Sequence, residues 1–89
     1  MAKPFSLDML TPTGKIFSGE VSSLTVPAGN GYLGVLADHA PLVASLGKGN
    51  ISMIDVSGKN ILYVSSGSGF LSVIHNKAVL VAESVSKNS

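Results

Sequence analysis

Turn-forming residues interrupt this chain so often that no interval between them carries a convincing helical stripe. Thr11-Pro12-Thr13-Gly14, Ala28-Gly29-Asn30-Gly31, Gly47-Lys48-Gly49 and Ser57-Gly58-Lys59-Asn60 punctuate it, with proline presetting φ and glycine tolerating positive φ. The intervals read as strands. Phe5, Leu7 and Met9 alternate with Ser6 and Asp8, the period-two pattern of a half-buried strand. Ile16–Val21 reads as a second strand and Ser23–Val26 as a third, stopped by Pro27, which has no N–H to give to a ladder. Tyr32–Leu36 and Leu42–Leu46 follow. Between them Ala37-Asp38-His39-Ala40-Pro41 forms a corner, because the residue before a proline is pushed out of helical space. Ile51–Val56 changes apolar parity between Met53 and Ile54, the mark of a bulge or an edge position. Ile61–Ser65, Phe70–Ile74 and Ala78–Ala82 are apolar on both faces and read as central, fully covered strands; His75-Asn76-Lys77 joins the last two. The expectation is an all-β fold, a flattened β-sandwich or barrel of about eight to ten short strands. It forms one domain over residues 1–84, and 85–89 is a polar tail that frays.

Composition narrows the function classes. A chain of 89 residues buries only about 60–65% of its unfolded surface, enough to fold alone but not to hold a deep multi-substrate cleft. It has no cysteine, so disulfides and thiolate metal sites are excluded. No run approaches the roughly 18 apolar residues of a membrane span, and the start lacks the apolar core of a secretory signal, so the cytosol is the default expectation. The six basic residues are all lysines, scattered from Lys3 to Lys87, and the net charge is +1. Nucleic-acid binding needs a clustered basic face, and phosphate recognition favours the arginine fork missing here. Charged residues make up 12% of the chain, about half the usual share. Either part of the surface is covered in a complex, or an all-β domain here exposes many Ser, Thr, Asn and Gly.

Candidate chemistry is sparse. Gly29-Asn30-Gly31-Tyr32-Leu33-Gly34 matches G-x-G-x-x-G, but a dinucleotide site needs the last glycine to open a helix. Val35-Leu36-Ala37-Asp38-His39-Ala40-Pro41 breaks any helix within two turns. The expectation is a β-turn without nucleotide, and no cofactor. His39 beside Asp38 could form a base and its orienting carboxylate, yet adjacent side chains diverge. His39 is expected to pack with one ring nitrogen on backbone, and His75 to be solvated. Two lone histidines make no metal site. Lys77, in a hairpin-like turn, is similar to the modified lysine of lipoyl and biotin carrier domains, so a small β carrier or binding module is the alternative reading.

Taken in order, several segments resemble the N-terminal domain of the epsilon subunit of F-type ATP synthase, the mitochondrial delta equivalent. They are Leu10-Thr11-Pro12-Thr13-Gly14 with Ile16-Phe17-Ser18-Gly19-Glu20-Val21, Gly31-Tyr32-Leu33-Gly34-Val35-Leu36 with His39-Ala40-Pro41-Leu42, Ser65–Val73, and Ala78–Glu83. The resemblance covers almost the whole chain. It implies a non-catalytic rotor subunit of the central stalk. Such a subunit clasps the gamma shaft and contacts the membrane-embedded c-ring, coupling proton transport to ATP synthesis in the catalytic head. A stiff double sheet suits a part that transmits torque. The resemblance places Thr11, His39, Ala40, Pro41, Leu42 and Ala44 toward gamma, and Asn30, Gly31, Tyr32 and Leu33 toward the ring. It implies a peripheral location on the cytoplasmic face of a bacterial inner or thylakoid-like membrane.

Three departures bear on these expectations. Tyr32 stands where many members carry an acidic residue, which points to stacking or hydrogen bonding at the ring rather than charge. Ser72 replaces the acidic residue usual after Gly-Phe-Leu, and Ser68 interrupts the glycine pair. The chain ends before the family's C-terminal helical hairpin, so inhibition and ATP binding through that hairpin are not expected. Either the subunit is naturally short or the chain is an excised domain.

Overall fold

The computed structural model describes residues 3–29 and 31–87. Nine strands follow one another: β1 (Phe5–Thr11), β2 (Gly14–Ala28), β3 (Gly31–Val35), β4 (Leu42–Leu46), β5 (Gly49–Asp55), β6 (Asn60–Ser65), β7 (Gly69–Ile74), β8 (Lys77–Ala82) and β9 (Val85–Lys87). Their hydrogen-bonded order is β1-β8-β7-β4-β2-β5-β6-β9, with β3 on β2 and β1 also on β2. All pairings are antiparallel except β1 with β8. The fold is all-β, as expected.

The long strand β2 belongs to both layers. Its first half pairs with β1, from Gly14 opposite Thr11 to Val21 opposite Phe5. Its second half pairs with β3 on one side and β5 on the other. Strands β1, β8, β7 and β4 thereby face β3, β5 and β6. Between them lie Phe5, Leu7, Met9, Leu71 and Leu80 from the first layer and Leu24, Val35, Ile51, Met53 and Tyr63 from the second, all buried in one cluster. Burying each such side chain contributes about 1.5–3 kcal/mol. That is how a chain with so few charges holds together.

Four sequence expectations need correction. The second and third strands are one, and Pro27 does not stop it: Pro27 lies within β2 opposite Tyr32. Its carbonyl accepts from the Gly47 N–H at 2.9 Å. A strand residue points its N–H and C=O to the same side, so the missing donor faces away from β3, past Thr25, where the β5 pairing ends. The parity change at Ile54 is not a bulge in β5, nor is β5 an edge. The register shift lies in β2, between Val21 and Ser23, and the Ser22 hydroxyl donates to the Ile54 carbonyl at 3.2 Å. Strands β6, β7 and β8 are central, but β7 is not covered on both faces: Phe70 is 46% and Ile74 49% exposed, whereas Leu62, Val64, Val79 and Val81 of β6 and β8 are half-buried. The tail expected to fray from Val85 forms β9 on β6, opposite Tyr63–Ser65; residues 88–89 lie outside the described residues.

The tightest approach in the sandwich is at Gly69. A Cβ there would collide with the carbonyl oxygen of Val81 and come within 2.8 Å of the Ala82 Cα. Backbone cannot yield as a flexible side chain does, so overpacking costs about 3 kcal/mol. Gly69→Ala is expected to lower Tm by more than about 10 °C, measured by thermal melting. A melt within about 2 °C of wild type would mean that β8 can shift.

Candidate docking site

The corner between β3 and β4 turns on Asp38, which adopts a left-handed conformation (φ 64°). Aspartate tolerates this region better than most residues because its short side chain can bond locally. Here the side chain bonds across the fold. The Asp38 N–H donates to Oδ1 of Asn76, and Asn76 Nδ2 donates back to Asp38 Oδ1 at 3.0 Å. Lys3 Nζ reaches the same carboxylate at 3.1 and 3.3 Å. Asn76 and His75, both at positive φ (60° and 49°), form the two-residue turn that joins β7 to β8, closed by Ile74 opposite Lys77.

These contacts decide the chemistry proposed for Asp38 and His39. The carboxylate is committed to Asn76 and Lys3, while His39 Nδ1 bonds the Ala40 carbonyl at 2.8 Å. The two side chains form no catalytic dyad, and His39 is half-buried with one ring nitrogen on backbone. His75 is exposed in its turn. Lys77 is the first residue of β8 rather than the hairpin apex, so it lacks the presentation that the carrier reading requires. The glycine-rich segment is the β2–β3 hairpin, with Gly29 at φ 58° and strand on both sides. No group of His, Cys, Asp or Glu among the described residues could hold a metal.

The structure brings His39, Ala40, Pro41 and Leu42 together along one rim. Pro41 and Leu42 also line an apolar groove of about 280 Å³ with Val43, Ser72, Val73 and Ile74. Ala44 shares the inward side of Leu42 and is half-buried opposite Leu71. Thr11 is apart from these residues. It closes the β1–β2 hairpin, its hydroxyl on Thr13 Oγ1 at 3.0 Å and on the Gly14 carbonyl at 3.3 Å. The corner instead adjoins the start of β1, where the Ser6 N–H donates to the Asn76 carbonyl at 3.0 Å.

Between the corner and Thr11 extends the outer face of β4, β7 and β8. Val43, 75% exposed, lies opposite Ser72; Phe70 lies opposite Val81; Ile74 stands beside the groove. Sequence reasoning missed Val43, Phe70 and Ile74 as surface residues. Alternation held the signal. Leu42, Ala44 and Leu46 point inward, so Val43 must point out. Leu71 and Val73 do the same for Phe70 and Ile74.

The turn assigned to the ring is at the start of β3. Asn30 lies outside the described residues. Gly31 is exposed, and Leu33 is half-buried against the core. Tyr32 is 60% exposed, yet its hydroxyl accepts from the Asn50 N–H at 3.4 Å. A Cβ on Gly49 would sit 2.8 Å from that hydroxyl and 3.1 Å from Pro27 Cβ. Gly49 (φ 151°) thus leaves the space in which the phenol lies, and Tyr32 is an anchored aromatic surface with no charge.

The fold is thus a β-sandwich domain whose exposed apolar residues beside an irregular corner form a candidate docking face. The family model for the ATP synthase, Delta/Epsilon chain, beta-sandwich domain matches residues 4–88. An ATP synthase epsilon chain of Chlorobaculum tepidum is 40% identical over 84 residues, covering 94% of this chain and 94% of the relative. An epsilon chain of Dichelobacter nodosus is 34% identical over 88 residues; these span 98% of this chain but 60% of that relative. A chain in the Euglena gracilis mitochondrial ATP synthase, in a structure of its OSCP/F1/c-ring, superposes with a TM-score of 0.88 at 24% identity over 94% of this chain and 53% of that one. This chain belongs to the ATP synthase delta/epsilon family, as its β-sandwich domain. No helix among the described residues is long and apolar enough to cross a membrane.

The Asp38 carboxyl is held below its ordinary range, first by the Asn76 amide and then by Lys3. The folded carboxylate binds its proton less tightly than the unfolded one. Its contribution is therefore complete above the unfolded value of about 4 and lost as pH falls through the depressed folded value. Amide protection at Asp38, whose N–H is held by Asn76, is expected to hold from about pH 8 to about pH 5, after correction for intrinsic exchange rate, and to drop below about pH 4. A drop already near pH 6 would show that this carboxylate does not set the protection.

Proposed function

We propose that this chain grips the gamma shaft of the ATP synthase with the His39–Leu42 corner and the adjoining outer face of β4 and β7, and turns its β2–β3 hairpin toward the c-ring. Family membership makes it a central-stalk subunit of the rotor, a part without a catalytic centre, in a membrane-associated complex. Its proposed task is mechanical: ring, shaft and clasp turn together, and the domain couples proton transport to ATP synthesis by holding its geometry under torque. The bacterial relatives support a peripheral position on the cytoplasmic side of a bacterial inner membrane.

The observation that carries this reading is the apolar strip of Val43, Phe70 and Ile74, left uncovered beside the corner. Isolated exposed apolar residues need no explanation, but a strip continuous with an irregular corner does. At the other site, Tyr32 replaces charge with an aromatic ring, a residue type favoured at binding hot spots. The proposed ring contact is therefore one of packing and hydrogen bonding, and it is insensitive to salt.

The test is calorimetric binding to purified gamma subunit. Val43→Asp puts a charge on a side chain that is already 75% exposed, so the free domain stays folded, whereas a buried unpaired charge is costly in the complex. Affinity is expected to fall at least ~10-fold, about 1.4 kcal/mol, with the melting curve unchanged. His39→Asp is expected to act in the same direction. Wild-type affinity in both folded variants would remove the corner and strip from the interface.

A further inference from the structure

We propose that Asn76 and Asp38 are positioning residues: together they hold the His39–Leu42 corner in the shape that the partner reads. The proposal rests on the reading of that corner as the grip on gamma.

Ala37 and Leu42 pack the ends of the corner against the core, but few hydrogen bonds hold what lies between. Among the described residues, the backbone hydrogen bonds outside the strand ladders connect Ser6 to Asn76, Gly47 to Pro27, Asp55 to Lys59, Gly58 to Asp55, Ser66 to Ser84 and Glu83 to Ser68. None involves residues 37–41. Pro41 has no N–H, and the His39 ring bonds only to the next residue's carbonyl. What ties the segment to the rest of the fold by hydrogen bond is Asp38. Its N–H and its carboxylate both go to the Asn76 amide, and the carboxylate also meets Lys3.

Asn76 is itself fixed. It occupies a two-residue turn at positive φ, and its carbonyl accepts from Ser6 of β1. A rigid hairpin thus reaches over and holds a loop that has no ladder of its own. Lys3 is the lesser member, since both partners of its ion pair are largely exposed (61% and 65%), and exposed pairs of this kind are weak. The amide is the specific element because it donates and accepts at once.

Two sets of variants separate positioning from folding. Asn76→Gly retains the positive φ and the carbonyl bond to Ser6 and removes only the amide. Amide exchange at Asp38, whose N–H is the one held by the Asn76 amide, is expected to rise at least ~10-fold in the free chain, and affinity for purified gamma subunit to fall by a similar factor, with little change in Tm. Asn76→Asp alone sets two carboxylates face to face and is expected to do the same or worse. The double variant Asp38→Asn, Asn76→Asp exchanges donor and acceptor, so the pair can re-form, and is expected to restore both exchange protection and affinity. A merely structural role would not show this reciprocal rescue. If Asn76→Gly leaves exchange in the corner unchanged, the positioning role is overturned. If exchange rises and is rescued while neither these variants nor His39→Asp alters gamma binding, the corner is not the grip, and the reading on which the proposal rests falls instead.

Discussion

Everything in this domain hangs on β2. A single strand from Gly14 to Ala28 serves as a member of both layers. The register shift between Val21 and Ser23 is where it passes from pairing with β1 to pairing with β3 and β5. A bulge bends and twists a strand locally, which lets one continuous backbone bridge two sheets. The arrangement closes where Ala28 meets Leu46 of β4. Forces applied to the corner or to the β2–β3 hairpin therefore enter a sheet whose layers share covalent backbone. A part that carries torque gains from such a connection, because a packed core resists compression better than a loose pair of sheets would.

The two candidate contact regions draw on this frame differently. The corner is irregular, lacks a ladder, and is secured by the Asn76 side chain of the β7–β8 hairpin, with Lys3 as a weaker partner. The outer face of β4 and β7 is regular strand, and its apolar residues are displayed because the core claims only the alternate positions. Together they join a shaped rim to a flat apolar field, a combination suited to specificity at the rim and buried area at the centre. The β2–β3 hairpin lies on the other branch of β2, where Tyr32 rests against Pro27 and Gly49. It offers an aromatic surface without charge.

Much of the strand pattern was legible because alternation and turn chemistry act locally. Phe5, Leu7 and Met9 state their parity outright, and the corner at Pro41 announces itself. Reasoning failed where a local rule met a tertiary exception. Pro27 reads as a terminator only until its missing donor is seen to face past the end of the β5 pairing. The strands Phe70–Ile74 and Ala78–Ala82 read as covered on both faces because apolar residues usually are. On β7 the outward Phe70 and Ile74 are exposed, and hydropathy alone does not show it; only the alternation with Leu71 and Val73 tells which side faces the core. The same ambiguity hid Val43. Clustering of His39, Pro41 and Leu42 was visible because they are contiguous. The grip of Asn76 on Asp38, from far along the chain, has no local signal at all.

The central claim is that one face of the sandwich, and not the other, receives the shaft. Titrating the isotopically labelled chain with purified gamma subunit and following its backbone and methyl NMR signals tests this directly. The account predicts perturbation confined to His39–Val43, Phe70 and Ile74, with the β5–β6 side at Ile54, Val56 and Leu62 unaffected. Perturbation centred on Ile54, Val56 and Leu62, with the corner silent, would contradict it.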